Sequence, residues 1–370
     1  MKTIVTTLLL SGTVFTAFAQ DSIEAKLVLL SEENKFKEIA ETYFNNLDKL
    51  SAQSLYFIAN AHYMLENDQE CLKYLNLSIE KDNSKSASYF LKGNTLNYIG
   101  QYTEAIEAFN EALKLDPDDA LFYSGIGDSY SQLNQYQQAV DAYSQATKIE
   151  GCPTRSFYML GQLYVNLQNN DKALEAYYVT KSKIDSQSPY YIDTMFNIGL
   201  LELLVKNYKK AKSVFEEIIK VSPADHHSYA KLTQIYYHNE QYEEAVPLKE
   251  VLYKAFKEGK LVNTDLEDMF CIDQYTWNNK KIMAFERYEE GEKNSIYYKH
   301  LFYVLDDAGE LLLRVQSEYS PFAAQTSDVK YLLCASKDST HYNSGIGLKK
   351  NYAYKDLKAL AIKMFENYSE

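Results

Sequence analysis

The 370-residue sequence has one tryptophan, six prolines and four cysteines, and its 38 lysines and arginines are outnumbered by 51 aspartates and glutamates. Each shortage excludes something. A net charge of −13 disfavours nucleic acid and anionic membranes as partners. The cysteines, at positions 71, 152, 271 and 334, are too scattered for a disulfide framework. Beyond the first twenty residues no apolar run approaches the ~20 residues that a membrane-spanning helix requires.

What is present begins with an export pattern. MKTIVTTLLLSGTVFTAFAQ places one lysine before an apolar run and closes on Ala17-Phe18-Ala19, the small-x-small sequence that signal peptidase reads. The expected division is residues 1–19 as signal peptide and a mature chain from Gln20, periplasmic or extracellular. Left uncleaved, the same segment would anchor the chain at a membrane. Cleavage removes Lys2 and takes the net charge to −14.

The body of the chain repeats itself. Gly93, Gly127 and Gly161 are 34 residues apart, and Gly199 follows after 38. At fixed offsets from these glycines stand Ala105, Ala139, Ala173 and Ala211, then Phe109, Tyr143, Tyr177 and Phe215. Apolar positions such as Ile106, Phe109 and Leu113 share one helical face. Glycine inside a helix costs roughly 1 kcal/mol relative to alanine, so its recurrence implies close packing of the first helix on the alanine of the second. Pro117 and Pro223 close two of the units.

With this helix-turn-helix period and these small and aromatic positions, the chain resembles the tetratricopeptide repeat, most strongly over residues 86–185 and again over 192–225. Degenerate units extend the likeness to about residues 52–259, and about six helix pairs are expected within residues 20–262. Cys71 takes the place of the repeat alanine. Pro247 falls inside a second helix, which is therefore expected to start late or kink. The KSKIDSQSPYYIDT insertion implies a longer turn or an extended helix.

From residue 264 the period becomes two, as in Leu311, Leu313 and Val315 alternating with Leu312, Arg314 and Gln316. Asp306-Asp307-Ala308-Gly309 reads as a hairpin turn. A last helix carries Leu357, Leu360, Ala361 and Met364 on one stripe. The fold class is thus an α-solenoid of helical repeats followed by a small α+β domain, residues 264–370, with an antiparallel sheet and a C-terminal helix. An oxidising compartment permits a Cys271–Cys334 bridge without requiring one.

Reaction chemistry is sparse. Gly125-Ile126-Gly127 lies in a repeat helix and reads as packing, while Ser344-Gly345-Ile346-Gly347-Leu348-Lys349 lacks the ending of a phosphate loop and reads as a turn. His226, His227 and His238 complete no metal-ligand spacing. Cys271 with His300 or His341 lacks a nucleophile signature. No cofactor is implied. Binding is what the resemblance implies, of a protein or peptide on the concave face lined by first helices. Carried onto this sequence, the groove positions include Phe90, Asn94, Asn97, Tyr98, Ser124, Asp128, Gln132, Tyr158, Gln162 and Asn166. They lack the cationic cluster that clamps a terminal carboxylate, so an extended chain suits them better than an acidic tail. Asn94, Tyr98, Asp128 and Tyr158 are the expected anchors, and Tyr98 and Tyr158 are expected to be removable together with little loss of stability. The alternative makes the repeats a spacer or docking arm for a ligand-binding or hydrolytic C-terminal domain, with Cys271, His300 and Asp306 in a shared pocket.

Overall fold

The computed structural model describes residues 23–41, 47, 50–261, 269–286, 297–319, 330–336, 344–348 and 354–368. The expected signal segment lies outside them. The chain divides into two compact units, Met1–Tyr190 and Tyr191–Glu370.

The first unit consists of helix pairs: α1 (Ile23–Glu32) with α2 (Phe36–Glu41), α3 (Ala52–Met64) with α4 (Asp68–Lys81), α5 (Ser86–Tyr98) with α6 (Tyr102–Leu115), α7 (Ala120–Gln132) with α8 (Tyr136–Ala146), and α9 (Thr154–Asn166) with α10 (Asn170–Lys183). The second unit opens with two more, α11 (Tyr191–Leu204) with α12 (Tyr208–Val221) and α13 (His226–His238) with α14 (Tyr242–Lys257). Seven pairs are therefore present among the described residues, where about six were expected.

One device turns the chain inside every pair. The second residue after the first helix is left-handed: Asn34, Glu66, Gly100, Asn134, Gln168, Lys206 and Glu240 have φ between 56° and 82°. The next amide then reaches back to a carbonyl five residues earlier, as Gln101 N–H to Leu96 O at 2.9 Å and Asn207 N–H to Glu202 O at 2.7 Å. This closure satisfies carbonyls that the helix end leaves open. Only one of the seven positions is glycine, so the turn escaped sequence reading.

The glycine-alanine crossing is filled differently from expectation. A side chain on Gly127 would begin 2.6 Å from the ring of Tyr143, and Gly93, Gly161 and Gly199 stand in the same relation to Phe109, Tyr177 and Phe215. The aromatic ring lies flush on the bare backbone, with Ala139 buried beside it. Gly125 faces Phe109 of the preceding pair, which confirms packing as the role of Gly125-Ile126-Gly127. Helix α14 starts at Tyr242 in register with Tyr102, Tyr136 and Tyr208 and runs through Pro247, so the expected late start does not occur. The insertion after Lys183 is a longer connection.

The rest of the second unit is an antiparallel meander in the order β1 (Cys271–Trp277), β2 (Lys280–Glu286), β3 (Tyr297–Leu305), β4 (Leu311–Tyr319), β5 (Lys330–Ser336) and β6 (Ser344–Leu348), followed by α15 (Tyr354–Tyr368). The β3–β4 turn forms around Asp306, whose carboxylate accepts from the amides of Ala308 at 2.9 Å and Glu310 at 2.8 Å, while Gly309 is left-handed at φ 82°. The segment read as a turn at 344–348 is instead the edge strand β6. It pairs with β5 and so satisfies its backbone in a ladder that the local sequence does not signal.

Period-two alternation sends Ile282, Ala284, Phe302, Val304, Leu313 and Val315 to one sheet face, against Leu357, Ala361, Met364 and Phe365 of α15. Trp277, partly buried, packs 5.9 Å from Phe365 against this core. Tyr237 of α13 and Ala245 of α14 belong to the same cluster. The change of period near residue 263 thus marks the end of the helices but not the edge of a core, since the last repeat and the sheet share theirs. Cys271 is a free thiol, and strand order places it four strands from Cys334, roughly 19 Å at the usual spacing, so the bridge cannot form.

Candidate functional site

The first unit carries an open cleft of about 1020 Å³. Its floor is built from first helices, with Phe90 and Asn94 on α5, Ser124, Gly125 and Asp128 on α7, and Thr154, Arg155 and Ser156 on α9; Tyr63 at the end of α3 adds to the wall. Its rim is the set of loops leading into each first helix. These contribute Asp116, Asp118 and Asp119, then Ile149, Glu150 and Pro153, then Lys183, Ile184, Asp185, Ser188 and Tyr190.

Polar links hold the floor together. Asn97 donates to Gly125 O at 3.3 Å and accepts from the Ser129 hydroxyl at 2.7 Å, which ties α5 to α7. Ser124 donates to Ala120 O at 2.7 Å and so accepts from Ser156 at 2.8 Å, tying α7 to α9. Arg155 grips Asp128 with both nitrogens, at 2.9 and 2.8 Å, and the Tyr143 hydroxyl donates to the same carboxylate. Burial, with the Asp128 charge behind it, pushes the Tyr143 phenol well above its ordinary value, so it stays a donor. Asp119 caps α7 by accepting from Leu121 N–H at 2.8 Å. Burial pushes its carboxyl up, that amide bond pulls it back, and the Asp116 charge adds to the rise.

Of the groove positions expected from the sequence, the structure brings Phe90, Asn94, Ser124 and Asp128 into the cleft. Phe90 is also packed 5.2 Å from Phe122, and Asp128 is engaged by Arg155. Tyr158 is only 8 % exposed, wedged between Tyr177 at 5.9 Å and Tyr190 at 5.3 Å, and its hydroxyl accepts from Gln162 at 2.9 Å. Its removal would therefore open the core, contrary to the expectation that it is dispensable for stability. Asn97 lies between helices, while Tyr98, Gln132 and Asn166 are exposed away from the cleft lining. Sequence reasoning missed the rim. A signal existed, because Asp116 and Glu150 hold the same offset after Gly93 and Gly127, and Asp185 is one residue further after Gly161.

The nucleophile and metal candidates are dispersed or consumed. Cys271 is 1 % exposed, and burial pushes its thiol up to about 11, leaving it protonated and inert. Asp306 is occupied by its turn. His341 lies outside the described residues, and nothing is described of the His300 side chain. His238 stacks on Tyr208 at 3.9 Å, and His227 meets Phe196 edge-on at 6.1 Å.

Comparison with known proteins agrees with the repeat. A family model described as TPR repeat matches residues 93–133, and one described as tetratricopeptide repeat matches residues 120–151, 154–178 and 192–225. No curated protein matches the chain. Similar solved structures include YrrB, described as a TPR protein with an unusual peptide-binding site, at 23 % identity and TM-score 0.43 over 50 % of this chain and 91 % of that one. MamA from Desulfovibrio magneticus RS-1 gives 20 % identity and TM-score 0.42 over 47 % and 96 %. A tetratricopeptide repeat protein from Parabacteroides merdae gives 18 % identity and TM-score 0.44 over 56 % and 79 %.

Proposed function

We propose that this tetratricopeptide-repeat protein is an exported, non-catalytic adaptor that holds a segment of another protein in the cleft of its first unit. Repeats of this kind serve as protein-interaction scaffolds because stacked units present one continuous surface. The observation that carries the reading is the cleft itself, which runs along α5, α7 and α9 and combines aromatic walls with an amide and carboxylates. Such a surface grips an extended chain by packing and hydrogen bonds distributed over several anchors. Export rests on the N-terminal pattern ending at Ala19, and a mature N-terminus at Gln20 is its consequence.

Asn94 is half-buried in the cleft lining and makes no side-chain hydrogen bond among the described residues, which suits it to a photo-crosslinker. A benzoylphenylalanine at position 94 should capture a partner from the native envelope, whereas the same group at exposed Gln137 should not. Equal capture at both positions, or capture at neither, overturns the cleft as the binding face.

A further inference from the structure

Resting on that reading, we propose that the segment held in the cleft is basic, an extended stretch of polyproline II conformation with lysine or arginine side chains spaced about three residues apart. The lining contains six carboxylates, Asp116, Asp118, Asp119, Asp128, Glu150 and Asp185, against two cations, Arg155 and Lys183. Arg155 is already consumed by Asp128, and the Lys183 ammonium rests 4.6 Å from the centre of the Phe157 ring. The unspent charge facing a ligand is therefore negative.

The fold does not need this charge where it stands. Asp119 caps α7 and Asp185 accepts from Gln187 N–H at 2.8 Å, so these two have local work. Asp116, Asp118 and Glu150 are exposed and make no side-chain hydrogen bond or ion pair among the described residues. Asp116 is moreover the C-cap of α6, a position where the helix dipole favours a cation over an anion. Carboxylates with no side-chain partner among the described residues, lining one cavity that also offers the rings of Phe90 and Tyr190, complement an incoming cation that packs on aromatic faces.

Geometry sets the spacing. Three successive loops carry the charge, one per repeat, and neighbouring packed helices lie about 8–10 Å apart. An extended chain in the polyproline II conformation advances about 3.1 Å per residue with three residues per turn, so every third side chain lies on one face and meets the next carboxylate rim. An acidic segment is repelled at each of the same points.

The test uses the mature full-length chain and three fluorescent peptides that repeat Lys-Ala-Tyr, Gln-Ala-Tyr or Glu-Ala-Tyr, with binding read by anisotropy. The lysine peptide should bind at least about tenfold more tightly than the glutamine peptide, the glutamate peptide should not bind, and added salt should weaken only the lysine complex. A lysine peptide of the same composition with its lysines contiguous should bind less well. The variant Asp116→Asn, Asp118→Asn, Glu150→Gln should lose the lysine preference while keeping its melting temperature. Equal affinity for all three peptides, or an undiminished preference in the variant, overturns the proposal. Failure of every peptide alongside successful crosslinking from position 94 overturns the basic ligand and leaves the cleft reading standing; failure of both overturns both.

Discussion

Lys249→Met should cost the second unit about 3–5 kcal/mol, the range for stripping one partner from a buried ion pair. Lys249 on α14 places its ammonium 2.8 Å from a carboxylate oxygen of Glu286 on β2 and 2.8 Å from the Tyr237 hydroxyl on α13, and Tyr237 donates to the same oxygen at 2.5 Å. The two charged side chains are only 15 % and 9 % exposed. Without the ammonium, the Glu286 carboxylate stays buried, and the cation that Lys249 placed 2.8 Å from it is lost. Without Glu286, as in Glu286→Leu, the lysine is stranded instead, at similar cost. Removing both together leaves the Tyr237 hydroxyl as the main loss, about 1–3 kcal/mol for an unsatisfied buried group. The double variant should therefore be more stable than either single one, a non-additivity of several kcal/mol between neighbours in contact.

The sequence supplies the probe, since Trp277 is its only tryptophan and packs against Phe365 in the core that Tyr237 shares. Urea unfolding followed by tryptophan fluorescence reads this unit directly. Single variants that each lose less than about 1 kcal/mol, the worth of an exposed pair, would refute the claim that the last repeat and the sheet are one structure, as would simple additivity. Asp273 offers a parallel check where α15 meets the sheet. It is 3 % exposed and accepts from Tyr354 at 2.9 Å and Lys358 at 2.7 Å, so Lys358→Met should act in the same direction.

Gly127→Ala should destabilise by about 1–3 kcal/mol, because the new methyl starts 2.6 Å from a Tyr143 ring that is fully buried and pinned to Asp128, while Gln137→Leu on the exposed face should cost little; equal denaturant midpoints would defeat the register. Gln168→Gly should stabilise by roughly 0.5–1 kcal/mol and Gly100→Gln should destabilise by a similar amount, since both sites are left-handed, at φ 57° and 82°, and nothing lies within 4 Å of Gly100 to add a packing effect; melting curves decide it. His62 is buried beside Tyr74, and burial lowers its pKa, Glu70 opposing and Lys73 assisting. As pH falls below about 6.5 the unfolded chain binds a proton that the folded one resists, so stability should drop there. Circular dichroism melts of His62→Gln should show a shallower acid dependence, and an unchanged slope would remove His62 as its source.

The parts of the fold written in single residue types were legible in the sequence. Glycine under an aromatic ring and alanine beside it are choices that few alternatives satisfy, so Gly93, Gly127, Gly161 and Gly199 announce the repeat and its register. The strand alternation at Leu311–Tyr319 was equally plain, because one sheet face must be apolar. The turn between helices was not, because glutamate, glutamine, asparagine and lysine all occupy its left-handed position, held there by packing on both sides. Nor was the shared core of the last repeat and the sheet, since Tyr237, Ala245 and Glu286 look like any repeat or strand residues until three elements bring them together.

The cleft follows the same division. Asn94 and Asp128 sit on helices whose phase the repeat fixes, so the side facing inward was readable. The rim sits on loops, which carry no period, and its carboxylates resemble the solvated charges found at any helix end. What separates Asp116 and Glu150 from ordinary surface charge is a cavity wall that only the folded chain defines, together with the place of Asp116 at a helix C-terminus, where an anion is locally unfavourable. Asp128, which the sequence offers as a groove anchor, and Asp118, which it does not single out, thereby take opposite parts. Asp128 spends its charge on Arg155 and Tyr143 to lock α7 against α9. Asp118 spends none, and its charge is the one left for a partner.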